Sequence, residues 1–234
     1  MIARISPLRR LLDFLFPRHC AVCHKRLAVT DDGVCTICNL HLPRTHFHEN
    51  PTDNEMARHY WAVIPVERAT ALFFYYAKSE ASNIILNMKY RGKWDLAEIM
   101  GRLAANECLG SGFFEGIDVI VPIPTTRKRK MERGYNQAHL IAKGISQITG
   151  IPIADDAVER AKYDGSQTHK NADERQANVK GVFKLKRAER IRNKHVLLVD
   201  DVMTTGATTK SCASELMKGG AKLFSIMALG YTKH

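Results

Sequence analysis

The run Val196-Leu197-Leu198-Val199-Asp200-Asp201-Val202-Met203-Thr204-Thr205-Gly206-Ala207-Thr208 constrains this chain more than any other. Four apolar residues lead straight into two adjacent carboxylates. An uninterrupted apolar run of this length suits a parallel strand covered on both faces. A short loop of hydroxyls and glycine follows, then a helix-compatible run from Ala207 to Lys218. A loop that ends in a helix N-terminus offers unpaired N–H groups and the positive end of the helix dipole, which suits a phosphate. Thr204, Thr205, Thr208 and Thr209 add hydroxyl donors, and Gly206 lets the backbone come close. Asp200 and Asp201 would repel a phosphate. They make sense if the phosphate is carried by a sugar whose hydroxyls donate to the carboxylates, or if a cation intervenes.

This order of strand, acidic pair, hydroxyl loop and helix resembles the 5-phosphoribosyl-1-pyrophosphate (PRPP) signature of type I phosphoribosyltransferases. The plainer alternative is an acidic pair and a threonine-rich turn that merely end a strand and cap a helix.

The chain of 234 residues has room for one α/β domain and a small appendage. No stretch approaches the roughly 20 apolar residues of a membrane span. Near the N-terminus, Arg4, Arg9 and Arg10 precede a short apolar run that Asp13 interrupts, with no small-residue cleavage site after it, so a cytoplasmic protein is expected. Lys and Arg outnumber Asp and Glu by 35 to 24, a net charge of +11, with dense clusters at Arg127-Lys128-Arg129-Lys130 and from Lys184 to Lys194. Such a balance points to anionic partners, whether phosphorylated metabolites or nucleic acid, with a solvated basic surface as the bland alternative.

Four of the six cysteines form two close pairs, Cys20-x-x-Cys23 and Cys35-x-x-Cys38, with eleven residues between them. Two such knuckles hold four thiolates at tetrahedral spacing for Zn²⁺, and four thiolates leave no open position, so the site is structural. A metal is also the expected staple for a segment too short to build its own core. His19, His24 and His41 lie nearby as spare candidates should one cysteine not be a ligand, with plain surface residues as the leading alternative. Cys108 and Cys212 fall in helical apolar patterns and belong to the core.

Read in order, Ser6-Pro7 opens a helix with a stripe at Leu8, Leu11, Leu12 and Leu15 that docks on the body, and Pro17 ends it. The zinc module follows, and residues 44–60 read as a polar linker. The predicted organisation is an N-terminal helix and zinc module over 1–50 and a main domain over 51–234. Strand character is expected from Ala69 to Tyr76, then a helix capped by Ser79 and another from Trp94 to Cys108 with Leu96, Ile99, Met100 and Leu103 on one face. Ile117 to Pro124 is a buried strand that ends in prolines. Its turn offers amides and hydroxyls at Pro124, Thr125 and Thr126, and Arg127 and Arg133 offer guanidinium forks, which together suit a pyrophosphate. A helix from Asn136 to Ile148 comes next, and a short strand from Ile153 to Arg160 after it. Residues 161–180 are polar, with a short helix possible in their second half. Val182 to Leu185 and Lys222 to Gly230 close the strand set. The alternation of strands and helices predicts a parallel sheet flanked by helices, with ligands at the carboxyl ends of the strands.

Five blocks in order are similar to the ComF family (competence protein F, the predicted-amidophosphoribosyltransferase group), over almost the whole length. They are the four cysteines; Lys89-Tyr90-Arg91-Gly92; Val121-Pro122-Ile123-Pro124 with Arg127 and Arg133-Gly134-Tyr135-Asn136-Gln137; Gln167 with Arg175 to Phe183; and Val199 to Thr208. One departure is the loop Asp164-Gly165-Ser166-Gln167-Thr168, where the family often reads Thr-x-x-Gln. The resemblance implies a type I phosphoribosyltransferase fold that binds PRPP with Mg²⁺. It also implies a role in DNA uptake by natural transformation, handling internalised single-stranded DNA with a helicase partner. The 5-phosphate would lie on Thr204, Thr205, Gly206, Ala207 and Thr208, and the ribose hydroxyls on Asp200 and Asp201. The pyrophosphate would meet Pro124, Thr125, Thr126, Arg127 and Arg133. The alternatives are an active phosphoribosyltransferase of nucleotide metabolism or salvage, and a nucleic-acid module whose sugar site is relict. No residue is assigned a catalytic role. An N-terminal cysteine nucleophile that would release ammonia from glutamine is not expected, because Cys20 belongs to a knuckle.

Overall fold

The computed structural model describes residues 12–90, 94–161 and 182–233. The predicted Ser6 cap, Leu8 and Leu11, the Arg91-Gly92 pair, and the Gln167 and Arg175 blocks with their possible helix lie outside the described residues.

Four strands form the central sheet: β1 (Val66–Phe74), β2 (Val119–Pro122), β5 (His195–Met203) and β6 (Leu223–Tyr231), in the order β1-β6-β5-β2 with every pairing parallel. A parallel sheet needs both faces covered. Val196 to Val199 accordingly lose all contact with water, and successive side chains go to opposite cores. Leu197 and Val199 join the core that holds the buried faces of α3 (Ser82–Tyr90), α4 (Trp94–Cys108) and α6 (Gln137–Thr149). Val196 and Leu198 join the one that holds Cys212, Ala213 and Leu216 of α7 (Ala207–Lys218).

Helices α4 and α6 touch backbone to backbone. A Cβ on Gly144 would sit 2.1 Å from the Glu98 carbonyl oxygen, and one on Gly101 2.2 Å from that of Ile141. Their predicted spans match to within a residue. Cys108 and Cys212 are both buried, as their helical pattern requires.

Three expectations need correction. Not all strands belong to the parallel sheet: β3 (Val158–Arg160) and β4 (Phe183–Leu185) form a separate antiparallel pair. The two runs are three residues long and carry alternating rather than continuous apolar character, so they cannot be covered on both faces. Residues 44–60 are not a free linker. They hold a 3-10 turn at Phe47–Glu49 and a helix (Glu55–Arg58), and Met56, Ala57 and Tyr60 pack against the sheet. Asn54 organises that segment: its amide donates to the carbonyls of Asn50 and Ala69 at 2.9 Å, and its carbonyl caps the helix through the Ala57 N–H. Finally, the basic run after the proline turn is a helix, α5 (Arg127–Arg133), capped by Thr126 Oγ1, which accepts from the Arg129 N–H at 3.2 Å. It has no apolar stripe to announce it. At the N-terminus the described leucines of the predicted stripe, Leu12 and Leu15, are 49% and 58% exposed.

Among the described residues, no helix is long and apolar enough to cross a membrane.

Candidate functional site

Strand β2 ends at Pro122, which pairs with Val199, and the last hydrogen bond across that edge runs from the Ile123 N–H to the Val199 carbonyl at 2.9 Å. Strand β5 continues for four more residues, with β6 on its other side. The acidic pair therefore sits where one neighbour has stopped and a cleft opens. Because strand side chains alternate, Asp200 continues the Val196–Leu198 face and Asp201 the Leu197–Val199 face. The two carboxylates straddle the end of the sheet. Each is steadied by the next amide: the Asp201 N–H donates to Asp200 Oδ1 and the Val202 N–H to Asp201 Oδ1, both at 2.8 Å.

A cavity of about 170 Å³ lies at this point. Of the residues singled out by sequence, Asp200, Asp201, Thr208, Pro124, Thr125 and Arg133 line it. Thr204, Thr205, Gly206 and Ala207 form the loop between them and α7. Thr204, Thr205, Ala207 and Thr208 are exposed, and Gly206 is buried. Gly206 has φ +72°, and a Cβ there would meet Tyr60 Oη at 3.1 Å, so position 206 demands glycine twice over. Gly206 at the N-cap offers no side chain to α7, and its first turn carries no acidic residue; the Ala207 N–H makes a long bond of 3.4 Å to Thr205 Oγ1, and the next amides and the dipole are left to an anion. Arg127 and Thr126 are placed differently. Arg127 lines a neighbouring groove of about 450 Å³, and Thr126 is occupied as the cap of α5.

Lys89, Arg129, Asn136 and Arg160 also line the cavity. They are not among the residues the sequence picks out for binding. Arg129 was hidden in a run of like charges, Asn136 is uncharged and sits just past Arg133, and Lys89 and Arg160 come from segments remote in sequence. Lys89 Nζ lies 2.7 Å from Asp201 Oδ2. The Asn136 amide donates to the Ile123 carbonyl at 3.1 Å and fixes the proline turn. Arg133 donates to Gln137 Oε1 at 3.0 Å. Burial first, and the Arg129 charge second, disfavour the charge on Arg160, with Asp200 acting the other way. Burial, followed by the Asp201 carboxylate, pushes the Asp200 carboxyl well above the ordinary carboxylate range, although its end on the cleft stays partly exposed. Such a site can take an anion on its cations and loop amides, and hydroxyl donors on its carboxylates.

The cysteines make a second centre. Their four Sγ atoms lie within 4.8 Å of one another. Cys20 Sγ accepts from the N–H groups of Val22 at 3.4 Å and Cys35 at 3.3 Å, and Cys35 Sγ from that of Cys38 at 3.4 Å. Burial and the neighbouring thiols push the Cys38 thiol far up. Four thiolates cannot coexist here without a cation of high charge, so the donor set fits Zn²⁺. Among the described residues no other group of three or more His, Cys, Asp or Glu side chains converges this way. Asp200 and Asp201 belong to no such group among the described residues.

The model of the phosphoribosyl transferase domain matches residues 95–233. The chain belongs to that family. Within it, the chain groups with the ComF proteins. The DNA utilization protein YhgH of Escherichia coli strain K12 is 29% identical over 213 residues, covering 90% of this chain and 88% of that one. Competence protein F of Haemophilus influenzae is 25% identical over 223 residues, covering 91% and 96%. The crystal structure of a purine phosphoribosyltransferase from Pyrococcus horikoshii aligns at 20% identity with a TM-score of 0.39, over 59% of this chain and 75% of that one.

Proposed function

We propose that this protein binds PRPP, with Mg²⁺ arriving on the ligand, and acts in DNA uptake, handling internalised single-stranded DNA. The observation that carries the first half is the acidic pair at the open end of β5, with cations on one side and a glycine-capped helix N-terminus on the other. On this reading Asp200 and Asp201 accept from the ribose hydroxyls, and the loop Thr204–Thr208 takes the 5-phosphate. Pro124 and Thr125 of the proline turn, with Arg133 and Arg129, take the pyrophosphate, and Arg127 stands at the margin of the cleft. Mg²⁺ arriving with the ligand, near Asp200 and Asp201, would supply positive charge against the pyrophosphate. The second half is supported by the names of the relatives, a DNA utilization protein and a competence protein, and by the net charge of +11. The exposed basic residues Arg127, Lys128 and Lys130 of α5 are suited to a nucleic-acid backbone, and a helicase partner would accompany the strand. Zn²⁺ on Cys20, Cys23, Cys35 and Cys38 is structural, and the setting is cytoplasmic.

Calorimetric titration with PRPP and Mg²⁺ tests the reading. Wild type should bind, and Asp200→Ala/Asp201→Ala should lose at least a hundredfold in affinity; a wild type that does not bind overturns it. Single-stranded DNA should shift in a gel with an affinity that falls steeply as salt is raised.

The family match favours a second reading, in which the bond from the ribose C1 to pyrophosphate breaks as a nucleophile bonds to C1. Positioning and charge stabilisation would then do most of the work. Release of pyrophosphate in a screen of bases and amines separates this reading from binding alone.

A further inference from the structure

Lys89 is the last described side chain of α3, and it reaches the acidic pair from a different part of the chain. Its Nζ lies 2.7 Å from Asp201 Oδ2, with the two side chains 23% and 17% exposed. This is more than a surface encounter. The end of α3 is pinned at the preceding residue, where the Met88 carbonyl accepts from Tyr135 Oη at 2.5 Å and from the Gln137 amide at 3.5 Å. A carbonyl in the last turn of a helix has no partner within the helix. Here two side chains of the Arg133–Gln137 block supply one and so fix where Lys89 starts. Gln137 also accepts from Arg133. One five-residue block therefore both lines the cavity and aims a lysine into it.

We infer that Lys89 is a positioning residue that serves as the resident counter-cation of the acidic pair, occupying the place beside Asp201 that a divalent cation would otherwise take. Two adjacent carboxylates at the end of a sheet attract Mg²⁺ or Mn²⁺ from solution. With an ammonium already on Asp201, the ligand-free pair has a weaker pull on a free metal, and a metal enters mainly as part of a ligand complex. A lysine is also compact enough to remain at the junction between ribose and pyrophosphate, where it adds to the charge of Arg129, Arg133 and Arg160. The consequence for PRPP rests on the reading of the cleft given above; the effect on free metal does not.

Two measurements on the full-length, zinc-loaded protein test this. In the first, Mn²⁺ is titrated into ligand-free protein and followed by electron paramagnetic resonance. Lys89→Met should bind Mn²⁺ at least tenfold more tightly than wild type, and Lys89→Arg, which keeps the charge, should behave like wild type. A merely structural lysine would not produce this split, and unchanged thermal melting would exclude unfolding as its origin. Equal Mn²⁺ affinity in wild type and Lys89→Met overturns the inference. In the second, PRPP affinity is measured with and without Mg²⁺. Lys89→Met should lose about tenfold without Mg²⁺ and much less with it; a loss of the same size under both conditions also overturns the inference. If wild type binds no PRPP at all, the PRPP reading falls, and the Mn²⁺ titration alone decides the role of Lys89.

Discussion

The zinc knuckles and the acidic cleft are both polar centres, but they are assembled in opposite ways. The knuckles lie within nineteen residues, Cys20 to Cys38. Four thiols drawn this close need a cation to be held together as thiolates; burial first, and the neighbouring sulfurs after it, favour the protonated form of Cys38. The cleft takes residues from four separated places: Lys89, the turn from Pro124 to Arg133, Arg160, and β5 with its loop. Its geometry is paid for by the sheet, whose buried strands fix where β2 stops and β5 goes on. A local site thus depends on its ligand for its shape. A site built from distant segments has its shape before any ligand arrives, and depends on the core instead.

That contrast can be broken most forcefully at the metal. Stripping Zn²⁺ with a chelator should unfold the segment around Cys20–Cys38 at a cost on the order of 5 kcal/mol, lowering the melting temperature by roughly 10 °C or more. Ala21 and Val22 share a core with Ile84 and Leu96, so the damage should reach α3 and α4. Thermal melting with a dye that reports released zinc checks this; an unchanged melting temperature would mean that the knuckles hold without metal. The cleft should respond instead to remote packing. Gly144→Val puts a side chain where the Glu98 carbonyl lies, and should destabilise the protein by about 3 kcal/mol. The expected result in denaturant titration is a lower midpoint, with zinc still bound.

Asp200 gives a smaller effect with a definite sign. Its carboxyl is raised in the fold by burial and by Asp201, so the fold favours the protonated form. That contribution is fully present below the ordinary aspartate range, near pH 4, and is lost as pH rises from there through the folded value of about 8. Asp200→Asn should remove this slope. It should be more stable than wild type at pH 8 by about 1 kcal/mol, a figure that allows for the water reaching the cleft, and the advantage should vanish near pH 4. A variant that is destabilised at pH 8 would show that the carboxylate is held by its partners and not strained by burial. The smallest change is Tyr135→Phe, which removes one hydrogen bond to the Met88 carbonyl. It should cost about 1 kcal/mol in stability.

How much of this could be read from sequence follows the same contrast. The knuckles, the apolar run into Asp200-Asp201 and the start of α7 at Ala207 are local patterns, and each reads directly. So do α4 and α6, whose apolar periodicity extends over several turns. What escaped was whatever depends on distant partners. Helix α5 has only a cap and basic side chains, with Met131 exposed, so no stripe marks it. Residues 44–60 looked like a linker because Asn54 is polar, although its polarity is spent on buried backbone carbonyls. The pairing of Lys89 with Asp201 joins two blocks that sequence inspection can only set side by side. In the basic run the sequence singled out Arg127 over Arg129, and the turn of a helix sends Arg129 to the cleft and Arg127 to the neighbouring groove.

The most direct test of the central claim is a crystal structure of the protein with PRPP and Mg²⁺. The account predicts the 5-phosphate on the amides and hydroxyls of Thr204–Thr208, the ribose hydroxyls within hydrogen-bond distance of Asp200 and Asp201, and the pyrophosphate facing Thr125, Arg129 and Arg133. A sugar phosphate bound instead in the groove beside Arg127 and Lys130, with the carboxylates of β5 untouched, would contradict it.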